Sequence, residues 1–310
     1  MTDTAAIFPG QGSQSIGMLA DLAASSDLVR STFDEASRAI GRDLWRLVSA
    51  GSAEELNQTR WTQPAMLAAD IAVWRVYLSR GGLMPTAMAG HSLGEYAALV
   101  AAESMALSDA AAVVHERGRL MQEAVGEGEG AMAAILGLDD QRVEQICADL
   151  ACAERTVVAA NYNSPGQLVI AGSRAGVELA VEECRQAGAK RALLLPVSVP
   201  AHSPLMAPAG EGLERALGMI EIKPPACRVL HNFDLQPREA PEAIRRALIE
   251  QLTHPVPWTG TIRELIAEGA TRFLECGPGR VLCGLGKRID RDADWLALET
   301  PGGIDQALQG

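Results

Sequence analysis

Gly90-His91-Ser92-Leu93-Gly94 sets a serine between two glycines, in the G-x-S-x-G pattern that presents a nucleophile on a sharp strand-to-helix turn. Its flanks suit that turn. Thr86–Ala89 is a short apolar run, and Leu93 to Leu107 carries an apolar helical pattern. A helix N-terminus behind Ser92 offers N–H groups and a positive dipole end to an oxyanion. Such a serine needs a base, and five histidines are available. His91 adjoins the serine, where side chains at a turn diverge. His115 falls on the polar face of its helix and reads as solvated. His202 follows a strand-like run in a loop stiffened by Pro200 and Pro204, which makes it the candidate base. Arg117 shares the apolar face of Ala110, Val113, Val114, Leu120, Met121 and Ala124. A buried guanidinium needs an anion. Two readings are open: an internal ion pair with an Asp or Glu, which periodicity alone favours, or a bidentate grip on a substrate carboxylate. Gly10-Gln11-Gly12-Ser13-Gln14 is a second glycine-rich loop. Without G-x-G-x-x-G spacing or a P-loop lysine it supports neither dinucleotide nor NTP binding, but it fits a donor reaching the nucleophile.

The elements that must hold these residues follow from pattern and punctuation. Residues 5–8 read as a first strand ending at Pro9-Gly10. Ser52 ahead of Glu54 and Glu55 marks a helix start, and Thr62-Gln63-Pro64 another, with that helix running to Ser79. Ser108-Asp109 is the expected cap of a helix reaching Val125. Gly126-Glu127-Gly128-Glu129-Gly130 then breaks the pattern as a hinge or boundary. Beyond it, strands at 131–137, 156–161, 167–171 and 192–199 alternate with helices at 139–151 and 173–187, and Asn163-Ser164-Pro165-Gly166 forms the central turn. That β-α-β-β-α-β order is ferredoxin-like. The predicted fold is therefore α/β: a large α/β-hydrolase-like domain with a parallel sheet (1–125 and 199–310) and an inserted small ferredoxin-like subdomain (126–198). In the return segment, 228–230 and 272–275 are expected strands, 240–253 and 261–268 helices, and a further helix follows from Arg280.

Bulk properties narrow the function. A chain of 310 residues is long for one domain and short for three. The net charge of −12 argues against nucleic acid and an anionic membrane surface as partners. No run approaches the ~20 apolar residues of a membrane span, and the N-terminus lacks the basic and apolar regions of a signal peptide. The six cysteines form no C-x-x-C and no zinc spacing, so free thiols in a reducing cytoplasm are expected, with no metal.

Taken together, Phe8–Gln14, Thr62-Gln63-Pro64-Ala65, Gly90–Tyr96, Arg117-Gly118, Asn161–Gln167, Val199-Pro200-Ala201-His202 and Glu275–Gly279 resemble, in order and over nearly the whole chain, the bacterial malonyl-CoA:acyl carrier protein transacylases. The stand-alone enzyme of fatty acid synthesis is the expectation, rather than a fused polyketide domain. The resemblance implies ping-pong malonyl transfer from malonyl-CoA to the phosphopantetheine thiol of acyl carrier protein, with no further cofactor. It implies Ser92 as nucleophile, His202 as base, the Gln251 carbonyl as the group orienting the imidazole, and the Gln11 and Leu93 N–H groups as oxyanion hole. Arg117 would bind the malonyl carboxylate, with Gln63 and Asn161 in the pocket. Leaving a buried charge unpaired costs about 3–5 kcal/mol, so an acetyl group would be disfavoured roughly a hundredfold to a few thousandfold. Carrier proteins of this family are acidic, so Lys190-Arg191 and Lys287-Arg288 are candidate docking pairs, with solvated surface charge as the alternative. A cytoplasmic monomer is expected. A serine hydrolase would instead need an acidic partner between Ser92 and His202, and Asp139, Asp140 and Asp149 fall in the predicted insertion.

Overall fold

The computed structural model describes residues 3–197 and 199–309. Met1, Thr2, Ser198 and Gly310 lie outside the described residues, and with them one end of each predicted domain segment (1–125, 126–198 and 199–310). Two sheets form. The first is wholly parallel, with strands β1 (Asp3–Phe8), β2 (Ala87–Gly90), β7 (Arg228–Leu230), β8 (Ala270–Glu275) and β9 (Asp294–Ala297) in the order β7-β2-β1-β8-β9. Side chains alternate across it and both faces are covered, as a parallel sheet requires. Ala6, Phe8, Met88 and Leu274 enter the larger core under the helices Asp27–Ile40, Thr59–Ser79, Gly94–Ala101 and Leu107–Glu123. Ala5, Ile7, Ala89 and Phe273 enter a second core under Trp258–Ala267 and Val281–Ile289.

The second sheet is antiparallel: β3 (Gly130–Leu136), β4 (Val157–Ser164), β5 (Gln167–Ser173) and β6 (Arg191–Leu194), in the order β4-β5-β3-β6. With its helices Asp140–Leu150 and Arg174–Gln186 on one face, this is the ferredoxin-like arrangement that the element order predicts. Its other face, with Met132, Val169, Leu195 and Val197, turns toward the first sheet. The sheets are also joined by backbone: Tyr162 N–H donates to Val256 O at 2.9 Å and Val256 N–H to Ala160 O at 2.8 Å. The glycine-rich link is tied to the helix Arg174–Gln186, with Arg174 N–H donating to Glu129 O at 2.7 Å.

Several local expectations shift. The helix read as starting at Thr62 begins at Thr59, and the Thr62 hydroxyl donates back to Leu56 O and Gln58 O. Pro64 therefore lies inside the helix, where its missing N–H frees the Arg60 carbonyl. His115, read as solvated, faces that carbonyl through Nδ1 at 3.0 Å and stacks on Trp61. Ser108-Asp109 does not cap its helix, which begins at Leu107 with Ala106 in the cap position. The predicted central turn shrinks to Pro165-Gly166, because β4 continues through Asn163 and Ser164. The strand expected over 192–199 ends at Leu194.

Candidate active site

Ser92 sits at φ 53°, in the left-handed region, between β2 and the helix Gly94–Ala101. The elbow requires its glycines. A Cβ on Gly90 would lie 2.1 Å or less from the backbone of Gly94 and Glu95, and one on Gly94 would lie 2.0 Å from Phe8 O. His202 also takes a positive φ of 61°, in a loop braced by the Ser203 hydroxyl donating to Pro200 O at 2.7 Å. The two residues, 110 positions apart, meet with Ser92 Oγ 2.7 Å from His202 Nε2. The other ring nitrogen, Nδ1, faces two backbone carbonyls, Gln251 O at 2.9 Å and His254 O at 3.2 Å. Two acceptors there fix the proton on Nδ1 and leave Nε2 bare to take one from Ser92. Burial first, and then the Arg117 cation, depress the imidazole to about 3, so it stays neutral through the physiological range.

Arg117 is fully buried and, among the described residues, meets no carboxylate directly, which overturns the ion pair favoured by periodicity. Nη1 donates to Gln63 Oε1 at 2.8 Å, Nη2 to Gln251 Oε1 at 2.9 Å, and Nη2 approaches Ser92 Oγ at 3.4 Å. The Tyr96 ring lies 5.5 Å from the guanidinium carbon. Gly118 makes this possible: a Cβ there would come within 2.7 Å of Arg60 Cα, so only glycine lets the two long helices close up and Arg117 reach Gln63.

These groups line one cavity of about 620 Å³ between the two sheets. Gln11, Gln63, Ser92, Leu93, Arg117, Asn161 and His202 all contribute to its wall. Among the described residues, neither the Gln11 nor the Leu93 backbone N–H donates to a protein acceptor, leaving both free for an oxyanion. Asn161 lies on β4, and its neighbour Asn163 meets His91 Nε2 through Oδ1 at 2.9 Å. Lys190, Arg191, Lys287 and Arg288 are exposed and line no part of the cavity. One of them still reaches its rim. Arg288 donates to Gln167 Oε1 at 2.5 Å, and Gln167 and Arg191 flank Leu136 across the second sheet.

A polar layer beneath the elbow escaped the sequence reading. Glu95, His231 and Asn232 are fully buried. Asn232 Oδ1 accepts from Ser92 N–H at 2.8 Å and its amide donates to Gly90 O at 2.8 Å, clamping both sides of the turn. Gln251, read only for its carbonyl, also donates through Nε2 to Ser92 O at 3.1 Å and Glu95 Oε2 at 2.7 Å. One signal was visible: Glu95 is an acid in a helix otherwise made of small and apolar residues and one tyrosine.

Comparison with known proteins agrees with this geometry. The family model described as acyl transferase domain matches residues 6–292. Malonyl CoA-acyl carrier protein transacylase of Escherichia coli K12 is 51% identical over 310 residues, covering all of both chains. That of Bacillus subtilis 168 is 44% identical, covering 100% of this chain and 97% of its own. The solved structure of the Coxiella burnetii malonyl CoA-acyl carrier protein transacylase superposes with a TM-score of 0.98 at 46% identity, covering 99% of this chain and 97% of that one. A malonyl-transacylase solved in complex with its holo type II PKS acyl-carrier protein superposes with a TM-score of 0.97 at 49% identity, over 99% of each chain. The chain belongs to the acyl transferase family, in its malonyl CoA-acyl carrier protein transacylase branch.

Proposed function

We propose that this protein moves a malonyl group from malonyl-CoA to the phosphopantetheine thiol of an acyl carrier protein, by way of a malonyl-Ser92 ester, in supply of fatty acid elongation. The observation that carries the reading is a buried guanidinium without a carboxylate partner, 3.4 Å from a serine Oγ that itself lies 2.7 Å from a neutral histidine. Ser92 attacks the thioester carbonyl as His202 Nε2 takes its proton. The Gln11 and Leu93 N–H groups receive the oxyanion, and CoA leaves as the thiol with that proton. The carrier thiol then attacks the ester, returning the serine hydroxyl. Arg117, steadied by Gln63, holds the malonyl carboxylate and so places the carbonyl against Ser92. Asn161 lines the channel for the rest of the substrate. The scheme needs no metal or further cofactor. A monomer in the cytoplasm, acting on an acidic carrier that docks at Lys190, Arg191, Lys287 and Arg288, completes the reading. The relatives' names and the solved complex of a relative with its carrier protein support it.

Intact mass tests it directly. Incubation with malonyl-CoA alone is expected to leave a malonyl adduct that is absent in Ser92→Ala and passes to added holo-carrier. Equal labelling by acetyl-CoA, or free CoA without an adduct, would favour a hydrolase. Reversing Lys287 and Arg288 to glutamate is expected to raise KM for the carrier several-fold and leave that for malonyl-CoA in place. An equal rise in both would remove the docking assignment.

A further inference from the structure

Glu95 is the buried acid that the transfer scheme leaves unused, and its surroundings give it a partner at one remove. Its Oε1 accepts from His231 Nδ1 at 2.7 Å. Its Oε2 accepts from Asn232 N–H at 2.9 Å and from Gln251 Nε2 at 2.7 Å. The far end of the same amide, Gln251 Oε1, accepts from Arg117 Nη2 at 2.9 Å. A carboxylate, an amide and a guanidinium thus stand in line, all buried. His231 gives Glu95 a single hydrogen bond, and its own Nε2 is buried without a partner among the described residues.

We infer that Glu95 is the counter-charge of Arg117, held one amide away by Gln251, and that it sets how tightly a substrate carboxylate is gripped. The inference rests on the malonyl-transfer reading. A carboxylate bonded directly to the guanidinium would occupy the donors a substrate needs. With Gln251 between them, Arg117 gains a buried negative charge nearby while the second N–H of Nη1, which already donates one to Gln63, stays unspent. The amide is also oriented by this pairing. Glu95 Oε2 and Ser92 O both require the Nε2 end, which turns Oε1 toward Arg117. Free, the pair is neutral. With a malonyl carboxylate bound it carries one negative charge, so Glu95 weakens the grip and eases departure of the acyl group. Glu95 is in this sense a positioning and charge-setting residue, acting through Gln251.

Glu95→Gln removes the charge and keeps the shape: its oxygen can still accept from Asn232 and Gln251, and only the hydrogen bond from His231 Nδ1 is given up. Two unit charges on the order of 10 Å apart at an effective dielectric of about 20 interact by about a tenfold factor in affinity. The expected result is therefore a KM for malonyl-CoA lowered about tenfold, a comparably slower passage of malonyl from Ser92 to the carrier, and no change in KM for acetyl-CoA. Equal changes for both thioesters, or weaker binding of malonyl-CoA, would overturn the inference. A double-mutant cycle with Arg117→Met, read by urea unfolding, keeps it testable if Glu95→Gln alone folds poorly. Each single variant leaves one buried charge without its partner, so the double variant should lose less stability than the two losses summed, and additive losses would overturn the pairing. Absence of any malonyl adduct on the unaltered protein would defeat the functional reading, while the unfolding cycle would still decide the Glu95–Arg117 pairing.

Discussion

Two polar clusters are buried at strand ends on either side of β1 in the parallel sheet, and they solve the problem of burial in opposite ways. Beyond β2, Ser92, His202, Arg117, Gln251, Glu95 and Asn232 bond to one another and to backbone, each partner fixing the next. At the end of β8, Glu275 accepts from the Leu282 and Cys283 N–H groups at 2.9 and 2.7 Å, while among the described residues Asp70 has no partner for either oxygen. Asp70 abuts Pro9 and Gly277, where a glycine Cβ would lie 2.3 Å from its Oδ1. Burial, reinforced by each acid's carboxylate neighbours, raises Asp70 well above the usual range and Glu275 to about 7. The first cluster converts burial into geometry, because every orientation is specified by a hydrogen bond. The second only tolerates it, by keeping a carboxyl protonated.

The sharpest test of that contrast is Arg117→Ala. Removing the cation should lower malonylation of Ser92 roughly a hundredfold to a few thousandfold and acetylation far less, measured by adduct formation. Equal losses would mean the network merely supports the fold. Next in size is the pH profile of acylation. An unperturbed histidine would lose roughly thirtyfold in its neutral fraction by pH 5. With the imidazole held at about 3, the rate should stay flat from pH 8 to 5, and a decline centred near 6.5 would break the picture of His202 as a dry base beside a cation. The smallest effect concerns stability, where the two clusters have opposite signs. Asp70 and Glu275 are raised, so their contribution is complete below pH ~4 and is lost as pH rises through their folded values. His202 is depressed, so its burial costs stability as pH falls below ~6.5. Asp70→Asn should therefore raise the melting temperature at pH 8 relative to pH 5, by about 2–4 °C, and a uniform shift at both would show that Asp70 is not the titrating group.

The same contrast explains what was legible in the sequence. Ser92, Arg117 and His202 announced themselves by local departures: a serine between glycines, a charge on an apolar stripe, a histidine between prolines. The ferredoxin-like order was legible because strand and helix periods differ. The helices over residues 20–50 were passed over, although Val29, Thr32, Phe33 and Ala36 carry a helical spacing in Asp27–Ile40. What bonds to Arg117 was beyond reach, since Gln251 lies 134 positions away and no periodicity reports a contact of that range. Glu95 stood out by type, but its meaning depends on His231, Asn232 and Gln251, which only the parallel sheet and its loops bring together.

The segment from Gln251 to Val256 ends on a mechanical point. Its carbonyls at 251 and 254 hold the imidazole, and Val256 is bonded on both sides to β4. It is a tie rod whose one end is the base and whose other end is the second sheet. The orientation of the His202 ring and the attachment of the second sheet therefore both depend on one short run of backbone that passes outside either core.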